Sequence, residues 1–310
     1  MSNYLDDTFL IMNTHSFWYE PFKKNGYKVT YPYKGKNRLL LRILRELHFR
    51  LNLPKKNLWF RDISCNTKYI FLLEALIIPE YLIWLHNKRP DAKMVMFYMN
   101  NCLPSSNPDF FRFDFIKLWS GDINDCKQYN INLSPNVGAY FKSWTIPEGL
   151  SIDYDIFFVG RDKGFRRLKP LLQLEKEFNK IGIKTYFHIV PEHIYDRFRN
   201  SRYQRLLSYE DVLTFIGRSK AILYLTYGSQ ECVTLRIQEA LVHKKKLIID
   251  CTWIKKYDFY DPRNIFILGE NNIDKLQDFL NSPYVEVKAD ILTHIYIEDL
   301  IEGVIKESWL

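Results

Sequence analysis

The sequence lacks the cysteine and histidine patterns of a disulfide-bonded or metal-binding protein. Its five cysteines are scattered, odd in number and form no C-x-x-C pair, which predicts reduced thiols in a cytosolic protein. The seven histidines show no H-E-x-x-H or other metal-ligand spacing. Residues 1–15 contain no basic stretch followed by a long apolar core, so we expect no signal peptide.

Long hydrophobic runs, repeats and low-complexity tracts are also absent. The longest apolar stretch, residues 69–85, contains Glu74, Pro79 and Glu80, which a membrane span would rarely tolerate together. Hydrophobic residues make up 47% and charged residues 26% of the 310 residues, so the composition predicts a soluble globular protein. The length suits two domains of about 150 residues each.

The basic charge is concentrated in the first half of the chain. Residues 1–150 contain 20 Lys and Arg against 13 Asp and Glu, whereas residues 151–310 contain 24 against 23. The two halves therefore carry +7 and +1 of the total charge of +8. We expect any acidic partner to meet the N-terminal half.

Short apolar runs alternate with amphipathic segments, a pattern typical of parallel α/β units. In the first half the predicted strands are 8–13, 27–33, 57–62, 69–75, 93–99 and 115–120. The predicted helices are 37–51, 78–88 and 122–129. The polar residues 130–152, with two prolines, are predicted to form a linker.

The second half repeats this alternation. Its predicted strands are 154–160, 184–190, 221–226, 245–250 and 265–268, and its predicted helices include 166–182, 208–220 and 273–281. A final helix near 296–308 could pack back on the first domain. We therefore predict an α/β fold of two Rossmann-like domains, 1–150 and 151–310, facing across a cleft. Ligands of such sheets bind at the carboxyl ends of strands.

GRDKGFRR (160–167) follows a predicted buried strand and leads into a helix. Gly160 and Gly164 allow tight turns and close backbone approach. Its cations are Arg161, Lys163, Arg166 and Arg167. The loop suits a phosphate or pyrophosphate, although it is neither a Walker loop nor G-x-G-x-x-G. A solvated turn with basic residues is the alternative.

GSQECVTLRIQEAL (228–241) combines an expected helix start with two glutamates, Glu231 and Glu239. A helix beginning near residues 232–235 would direct free N–H groups and its positive dipole end at an anion. Arg236 could add a fork for phosphate oxygens, and Glu239 could accept hydrogen bonds from the diol of a ribose. Alternatively, both glutamates are solvated and Arg236 pairs with one of them.

Glu231 and Glu239 resemble the E-x7-E motif of retaining glycosyltransferases with two Rossmann-like domains, the GT-B class. FFVGRDKG, SYEDVL, QECVTLRIQEAL, KKLIIDC and YDFYDPRNIFIL further resemble bacterial glycosyltransferases of capsule and lipopolysaccharide assembly, over most of residues 154–282. One departure is that Glu231 stands between Gln230 and Cys232, where these enzymes often have small glycine-rich residues.

The resemblance implies a retaining transfer of a sugar from a nucleoside diphosphate, expected to be a UDP-hexose, to a growing surface glycan of lipopolysaccharide, capsule or glycoprotein. It implies that Glu239 binds the ribose, that Glu231 contacts the donor sugar, and that Arg161 and Lys163 face the diphosphate. The other residues expected to contact the donor are Gly160, Tyr209, Thr234, Leu235 and Arg236. With no metal and no cofactor, cations and helix N–H groups would stabilise the leaving diphosphate.

Other polar motifs lie near strand ends. His15 follows the first strand and could contact the acceptor, although a loop histidine without function fits equally well. DYD (153–155) imitates the metal-binding Asp-x-Asp of another glycosyltransferase class, but it lies at a strand's entrance, so we expect no metal there. His188 is expected in the core, and Glu192 and His193 could lie near the nucleotide base.

KNRLLLRILRELHFRLNL (36–53) is predicted to form a basic amphipathic helix. One face carries Arg38, Arg42 and Arg45, and another carries Leu40, Leu44, Leu47 and Leu51. The helix is either a crossover helix with its polar face in water, or one whose basic face also contacts an anionic bilayer, where lipid-linked acceptors are found. In the second interpretation the basic segment 23–50 forms one patch, extended before the helix by Lys23, Lys24, Lys28, Lys34 and Lys36. The second interpretation predicts a cytoplasmic protein that is peripheral on the inner face of the cell membrane.

Two other functions fit parts of the sequence. A nucleotide-sugar-binding protein without catalysis would need the same loops. The positive charge would suit nucleic acid, but no helix-turn-helix, zinc or RNP motif is evident, so we expect no nucleic-acid partner. The expected partners are a nucleotide sugar and a glycan or lipid-linked glycan acceptor.

Overall fold

The chain divides into two compact units, each built around its own sheet. The computed structural model describes residues 4–13, 16–35, 38–63, 67–73, 77–100, 102, 104–134, 138–226 and 232–309. Unit 1 comprises Met1–Phe141 and Tyr296–Leu310, and unit 2 comprises Lys142–Ile295.

Unit 1 begins with alternating strands and helices. These are β1 (Thr8–Met12), α1 (Tyr19–Lys24), β2 (Val29–Thr30), α2 (Leu39–Arg50), β3 (Tyr69–Leu73), α3 (Pro79–Lys88), β4 (Lys93–Tyr98), β5 (Ile116–Ser120), α4 (Ile123–Tyr129) and β6 (Asn132–Leu133). In the described residues the strands pair in parallel in the order β2-β1-β3-β4-β5-β6. Every residue of β1 and β3 is buried, as expected for central strands of a parallel sheet covered on both faces.

Unit 2 contains the second sheet. Its elements are β7 (Tyr154–Asp162), α5 (Leu168–Lys180), β8 (Thr185–Pro191), α6 (Tyr209–Gly217), β9 (Ser219–Tyr224), α7 (Leu235–Val242), β10 (Lys246–Ile249), β11 (Ile265–Ile267), α8 (Leu276–Asn281) and α9 (Ala289–Thr293). The strands pair in parallel in the order β11-β10-β9-β7-β8. The last helix, α10 (Ile297–Trp309), belongs to unit 1, where Trp119 Nε1 in β5 donates to Ser308 Oγ at 2.8 Å.

Both sheets use the same strand order. In each, the first strand lies between the second and the third, and later strands add beyond the third. The second strand is added on one side of the first strand, and the third and later strands are added on its other side. The position between the first and third strands is therefore the topological switch point of an open α/β sheet. The prediction of two Rossmann-like α/β domains is confirmed.

Of the strands predicted in unit 1, 57–62 is wrong and 27–33 is too long. Lys56–Trp59, inside the predicted strand 57–62, forms a 3₁₀ turn. The turn begins directly after Lys55, whose φ of 61° is left-handed, so the chain does not enter residues 57–62 in an extended conformation. The predicted strand 27–33 shrinks to β2, and beyond it Tyr33 makes an isolated antiparallel bridge to Phe60.

The segment 130–152, predicted as a linker, contains the strand β6 and packs within unit 1 before residue 142 and within unit 2 after it. Phe141 is fully buried, with its ring 4.7 Å from that of Phe22 in unit 1. In unit 2, a Cβ added at Gly217 would lie 2.5 Å from Ile146 Cγ2 and 2.6 Å from Leu150 Cδ1. These aliphatic side chains therefore pack directly on the last residue of α6.

Across the described residues, no helix combines the length and the apolar character that a membrane crossing would require.

Candidate functional site

The carboxyl ends of β7 and β9 meet at the switch point of unit 2, where open α/β sheets bind ligands. β7 ends at Asp162 and leads through a 3₁₀ turn into α5. β9 ends at Tyr224, and after residues 227–231, which lie outside the described residues, the chain enters α7 at Leu235. Because β7 and β9 are paired neighbours, both predicted loops leave the same edge of the sheet.

Asp162 is the buried acceptor that fixes the first loop. Its side chain is fully buried; Oδ1 accepts from the backbone N–H of Arg167 at 2.6 Å, and Oδ2 accepts from the Tyr203 hydroxyl at 2.7 Å. Burial, together with this acceptor, raises the pKa of Tyr203 to about 12. Asp162 is not among the predicted site residues, although a carboxylate at the end of a buried strand is a recognisable signal.

Arg167 bridges the two strands of the switch point. Its Nη2 donates to the carbonyl of Leu225 at 3.1 Å, just after β9, and its Nη1 donates to the carbonyl of Arg161 at 3.4 Å. A Cβ added at Gly160 would lie 2.9 Å from Phe158 Cζ and 3.4 Å from Arg167 Nη1. A side chain at position 160 would therefore collide with the Phe158 ring and crowd the Arg167 guanidinium, so packing within the protein favours glycine here. A contact of Gly160 with a ligand stays a prediction.

Arg161 and Lys163, predicted to face a diphosphate, are both exposed at the end of β7. Arg161 Nη1 donates to the carbonyl of Glu192 at 3.1 Å, and Glu192 Oε2 accepts from the backbone N–H of Gly164 at 2.7 Å. Gly164 has a φ of 60°, which favours glycine. A carboxylate of the protein itself thus occupies this N–H, so the turn is able to hold a negatively charged oxygen.

Glu239 lies fully buried within α7, with both carboxylate oxygens against protein groups. The Tyr209 hydroxyl donates to Oε1 at 2.8 Å, and Arg236 Nη1 lies 2.5 Å from Oε2. The Arg236 contact is an ion pair without the alignment of a hydrogen bond. Burial raises the pKa of Glu239 to about 7, although Arg236 and Tyr209 act to lower it.

The contacts of Arg236 and Glu239 thus match neither of the two interpretations of the motif, ligand binding or solvated glutamates, completely. Arg236 pairs with Glu239, as the alternative expected, but Glu239 is not solvated. A buried acid with a pKa near neutrality is costly in an ordinary core. Binding of phosphate by Arg236 and of a ribose by Glu239 stay predictions.

Tyr209 is positioned by a capped helix and an aromatic neighbour. It begins α6, whose N-cap Ser208 accepts from the backbone N–H of Asp211 at 3.1 Å. Its ring lies on Trp144, with centroids 4.0 Å apart. By contrast, the N-cap of α7, Thr234, makes no side-chain bond to the N–H groups of its helix.

Two further polar side chains, both absent from the predicted site, hold the chain on either side of residues 227–231. Asp250 Oδ1, directly after β10, accepts from the backbone N–H of Thr226 at 2.8 Å. Gln238 is fully buried and its Nε2 donates to the carbonyl of Val233 at 3.0 Å. The approach to α7 is therefore fixed by side chains that lie beyond the segment itself.

Glu231 and His15 lie outside the described residues, so their roles stay predictions. His188 is buried in β8 with Nε2 2.7 Å from the carbonyl of Arg205, the core position that was predicted. His193 follows β8, and its ring stacks on that of Tyr195 at 5.1 Å.

The carboxylates of DYD make ion pairs at the entrance of β7. Asp153 pairs with Arg218. Asp155 Oδ1 lies 2.8 Å from Lys220 Nζ, and its Oδ2 accepts from the backbone N–H of Lys184 at 2.9 Å. Within the described parts of the chain, no three His, Cys, Asp or Glu side chains are grouped to hold a metal ion. Metal independence stays a prediction.

No family model and no curated protein matches the chain. Among solved structures, AviGT4, a glycosyltransferase involved in avilamycin A biosynthesis, gives a TM-score of 0.51 at 10% identity, over 79% of this chain and 73% of that one. A glycosyltransferase from Rickettsia africae ESF-5 gives a TM-score of 0.48 at 13% identity, over 95% and 85%. The likeness to AviGT4 is one of fold.

Proposed function

We propose that the protein is a glycosyltransferase that binds a nucleoside diphosphate sugar at the carboxyl edge of the unit 2 sheet and transfers the sugar to a glycan. The observation that carries this proposal is the buried Glu239, contacted by Tyr209 and Arg236 on the helix that follows the switch point. Buried acids whose pKa is strongly shifted cluster at functional sites. The fold shared with AviGT4 supports the same class of reaction.

In this proposal Glu239 binds the ribose of the nucleotide. A carboxylate can accept hydrogen bonds from both ribose hydroxyls. Ribose binding would replace the contact between Glu239 Oε2 and Arg236, which releases the guanidinium towards the phosphate oxygens. Arg236 would therefore neutralise Glu239 in the free protein and the diphosphate in the complex.

The leaving diphosphate would be stabilised by fixed positive groups. Arg161 and Lys163 are exposed at the end of β7, and the N-terminus of α7 offers backbone N–H groups at its N-cap Thr234 and its first residue Leu235. Glu231 would orient the sugar, and His15 would contact the acceptor. UDP-hexose as donor, retention, metal independence and a surface glycan as acceptor are proposed on the resemblance of the motif.

Calorimetry with UDP tests the ribose assignment. Glu239→Ala should weaken UDP binding about 10- to 100-fold, because charge-assisted hydrogen bonds contribute about 1.5–3 kcal/mol each. Glu177→Ala, at an exposed position of α5, is the matched control and should leave UDP affinity unchanged. The ribose assignment is wrong if a folded Glu239→Ala protein binds UDP as tightly as the unaltered protein.

Transfer is tested separately from binding. The protein is incubated with UDP-hexoses, with and without oligosaccharide acceptors, and released UDP and glycosylated product are measured. UDP release that requires an acceptor supports the transferase. Binding of the donor without product for any acceptor would favour a nucleotide-sugar-binding protein. Loss of activity in EDTA with recovery in Mn²⁺ would contradict metal independence.

A further inference from the structure

Helix α2 presents its aliphatic side chains to solvent instead of to the sheet. Its leucine face, whose members are 45–70% exposed, consists of Leu39, Leu40, Ile43, Leu44, Leu47 and Leu51. The opposite side of the helix is buried or half-buried at Leu41, Arg42, Arg45, His48 and Phe49. Helix α2 connects β2 to β3 as a crossover helix, but the prediction that its polar face lies in water is wrong, because the apolar face points outward.

Specific contacts hold α2 in this orientation. Arg45 is the buried residue of the helix, with Cζ 4.7 Å from the centroid of the Tyr33 ring and Nη2 2.8 Å from Glu46 Oε1. Phe49 packs against the same Tyr33 ring at 5.2 Å. Arg45 was predicted to share an outward basic face with Arg38, and this part of the prediction is wrong.

The leucine face lies within the most basic segment of the chain. Residues 34–56 contain eight Lys and Arg and a single acid, Glu46, a net of 8 − 1 = +7. Residues 1–150 as a whole carry 20 − 13 = +7, so this segment accounts for the entire excess. Exposed cations flank both ends of the helix, namely Lys34, Arg38, Arg50 and Lys55.

We propose that α2 docks unit 1 on an anionic lipid bilayer, with the leucine face inserted at the headgroup boundary and the flanking cations against lipid phosphates. A contiguous apolar face rimmed by Lys and Arg is the pattern of helices that lie in the plane of a membrane. A second copy of this chain fits the face less well, because pairing two leucine faces would bring two +7 segments together. The docking does not depend on the proposed donor chemistry.

Co-sedimentation of the full chain with lipid vesicles tests the proposal. The vesicles are phosphatidylcholine alone or with about one third phosphatidylglycerol. The protein should bind the anionic vesicles, less tightly as salt is raised, and should bind neutral vesicles weakly. Equal binding to both vesicle types, or binding to neither, overturns the proposal.

Substitutions in the leucine face test its insertion. Leu44→Gln with Leu47→Gln, at side chains 45% and 49% exposed, should reduce affinity for anionic vesicles about 10- to 30-fold, since each inserted leucine loses part of its transfer free energy. The matched control is Ile123→Gln with Leu133→Gln, which are 47% and 46% exposed elsewhere in unit 1. The control should bind like the unaltered protein; an equal loss in both pairs overturns the proposal.

Arginine substitutions test the electrostatic part. Arg38→Gln with Arg50→Gln should lower affinity for anionic vesicles about 30-fold, at roughly one kcal/mol for each cation, and leave binding to neutral vesicles unchanged. UDP affinity, measured in parallel, should stay constant in all these variants. If sedimentation without lipid shows a dimer that Leu44→Gln with Leu47→Gln dissociates, the leucine face is a self-interface and the bilayer proposal is wrong.

Discussion

Helices α2 and α7 each bury one charged side chain, but they place their aliphatic side chains differently. In α7, Glu239 is buried together with Ile237, Ala240 and Leu241. In α2, Arg45 is buried while the leucine face lies in solvent. Charged side chains are usually exposed and aliphatic side chains are usually buried. Helix α7 departs from this rule only by burying a charge, whereas α2 buries a charge and also exposes a whole aliphatic face.

The difference indicates which kind of partner each helix lacks. Helix α7 packs as a core helix, so its exception is confined to Glu239, and a small ligand that hydrogen-bonds one carboxylate would account for it. In α2 the exception extends over a whole face of the helix. Only an extended apolar surface can cover it, which is why we assign the two helices to a nucleotide and to a bilayer.

Aliphatic substitutions in the two helices should give the largest contrast. Ile237→Ala should lower the free energy of unfolding by about 2–5 kcal/mol, because Ile237 is fully buried and its truncation leaves a cavity. Leu44→Ala, at a side chain 45% exposed, should cost less than about 1 kcal/mol. Urea unfolding measures both values. Equal losses would mean that the leucine face is packed in solution, and the contrast would disappear.

Glu239 should make the protein less stable as pH rises. Its folded pKa of about 7 lies above the ordinary value of 4.5. Between these values the folded state binds more protons than the unfolded state, so the free energy of unfolding falls as pH increases. The loss is at most about 3 kcal/mol. It should be absent in Glu239→Gln, which cannot ionise.

His243, at the C-cap of α7, acts in the opposite direction. Burial lowers its pKa from 6.5 to about 4, so between these values the unfolded state binds more protons and stability rises with pH. The measurement is therefore the difference between the unaltered protein and Glu239→Gln, followed by urea unfolding from pH 4.5 to 7.5. Parallel stability curves would show that Glu239 ionises normally in the folded protein.

The contrast between the helices also marks how far the sequence could predict the fold. Buried parallel strands such as β3 and β4 are continuous apolar runs, and their positions were predicted within two residues. The helical period of α2 was also predicted. Periodicity identifies the side chains that share a face, but it does not determine which face points inward. That choice depends on Tyr33, which receives Arg45 and Phe49.

The sequence could predict several residues of the site, but it could not predict which of them contact each other. Helix-start and motif patterns identified Arg236, Glu239 and Tyr209 as candidates. The bond between Tyr209 and Glu239 joins residues 30 positions apart, and that between Tyr203 and Asp162 joins residues 41 apart. Such contacts depend on how α6, α7 and the loops pack around one sheet, which local spacing does not specify.

The smallest effects should come from separating two arginines of one predicted face. Arg45 lies over Tyr33, whereas Arg38 is exposed at the start of α2. Arg45→Gln should lower the free energy of unfolding by about 0.5–2 kcal/mol through loss of the cation–π contact and leave vesicle affinity unchanged. Arg38→Gln should change stability by less than about 0.5 kcal/mol and weaken anionic-vesicle binding about fivefold.

Urea unfolding and vesicle co-sedimentation on the same two proteins complete this test. Because Arg45 and Arg38 carry the same charge on the same helix, net charge alone would make their effects on vesicle binding equal. A difference therefore reports which side of α2 faces the lipid. If Arg45→Gln weakened vesicle binding as much as Arg38→Gln and left stability unchanged, Arg45 would face the bilayer and the leucine face would point into unit 1. Helix α2 would then bury its aliphatic side chains as α7 does, and Glu239 would remain as the exception that needs a ligand.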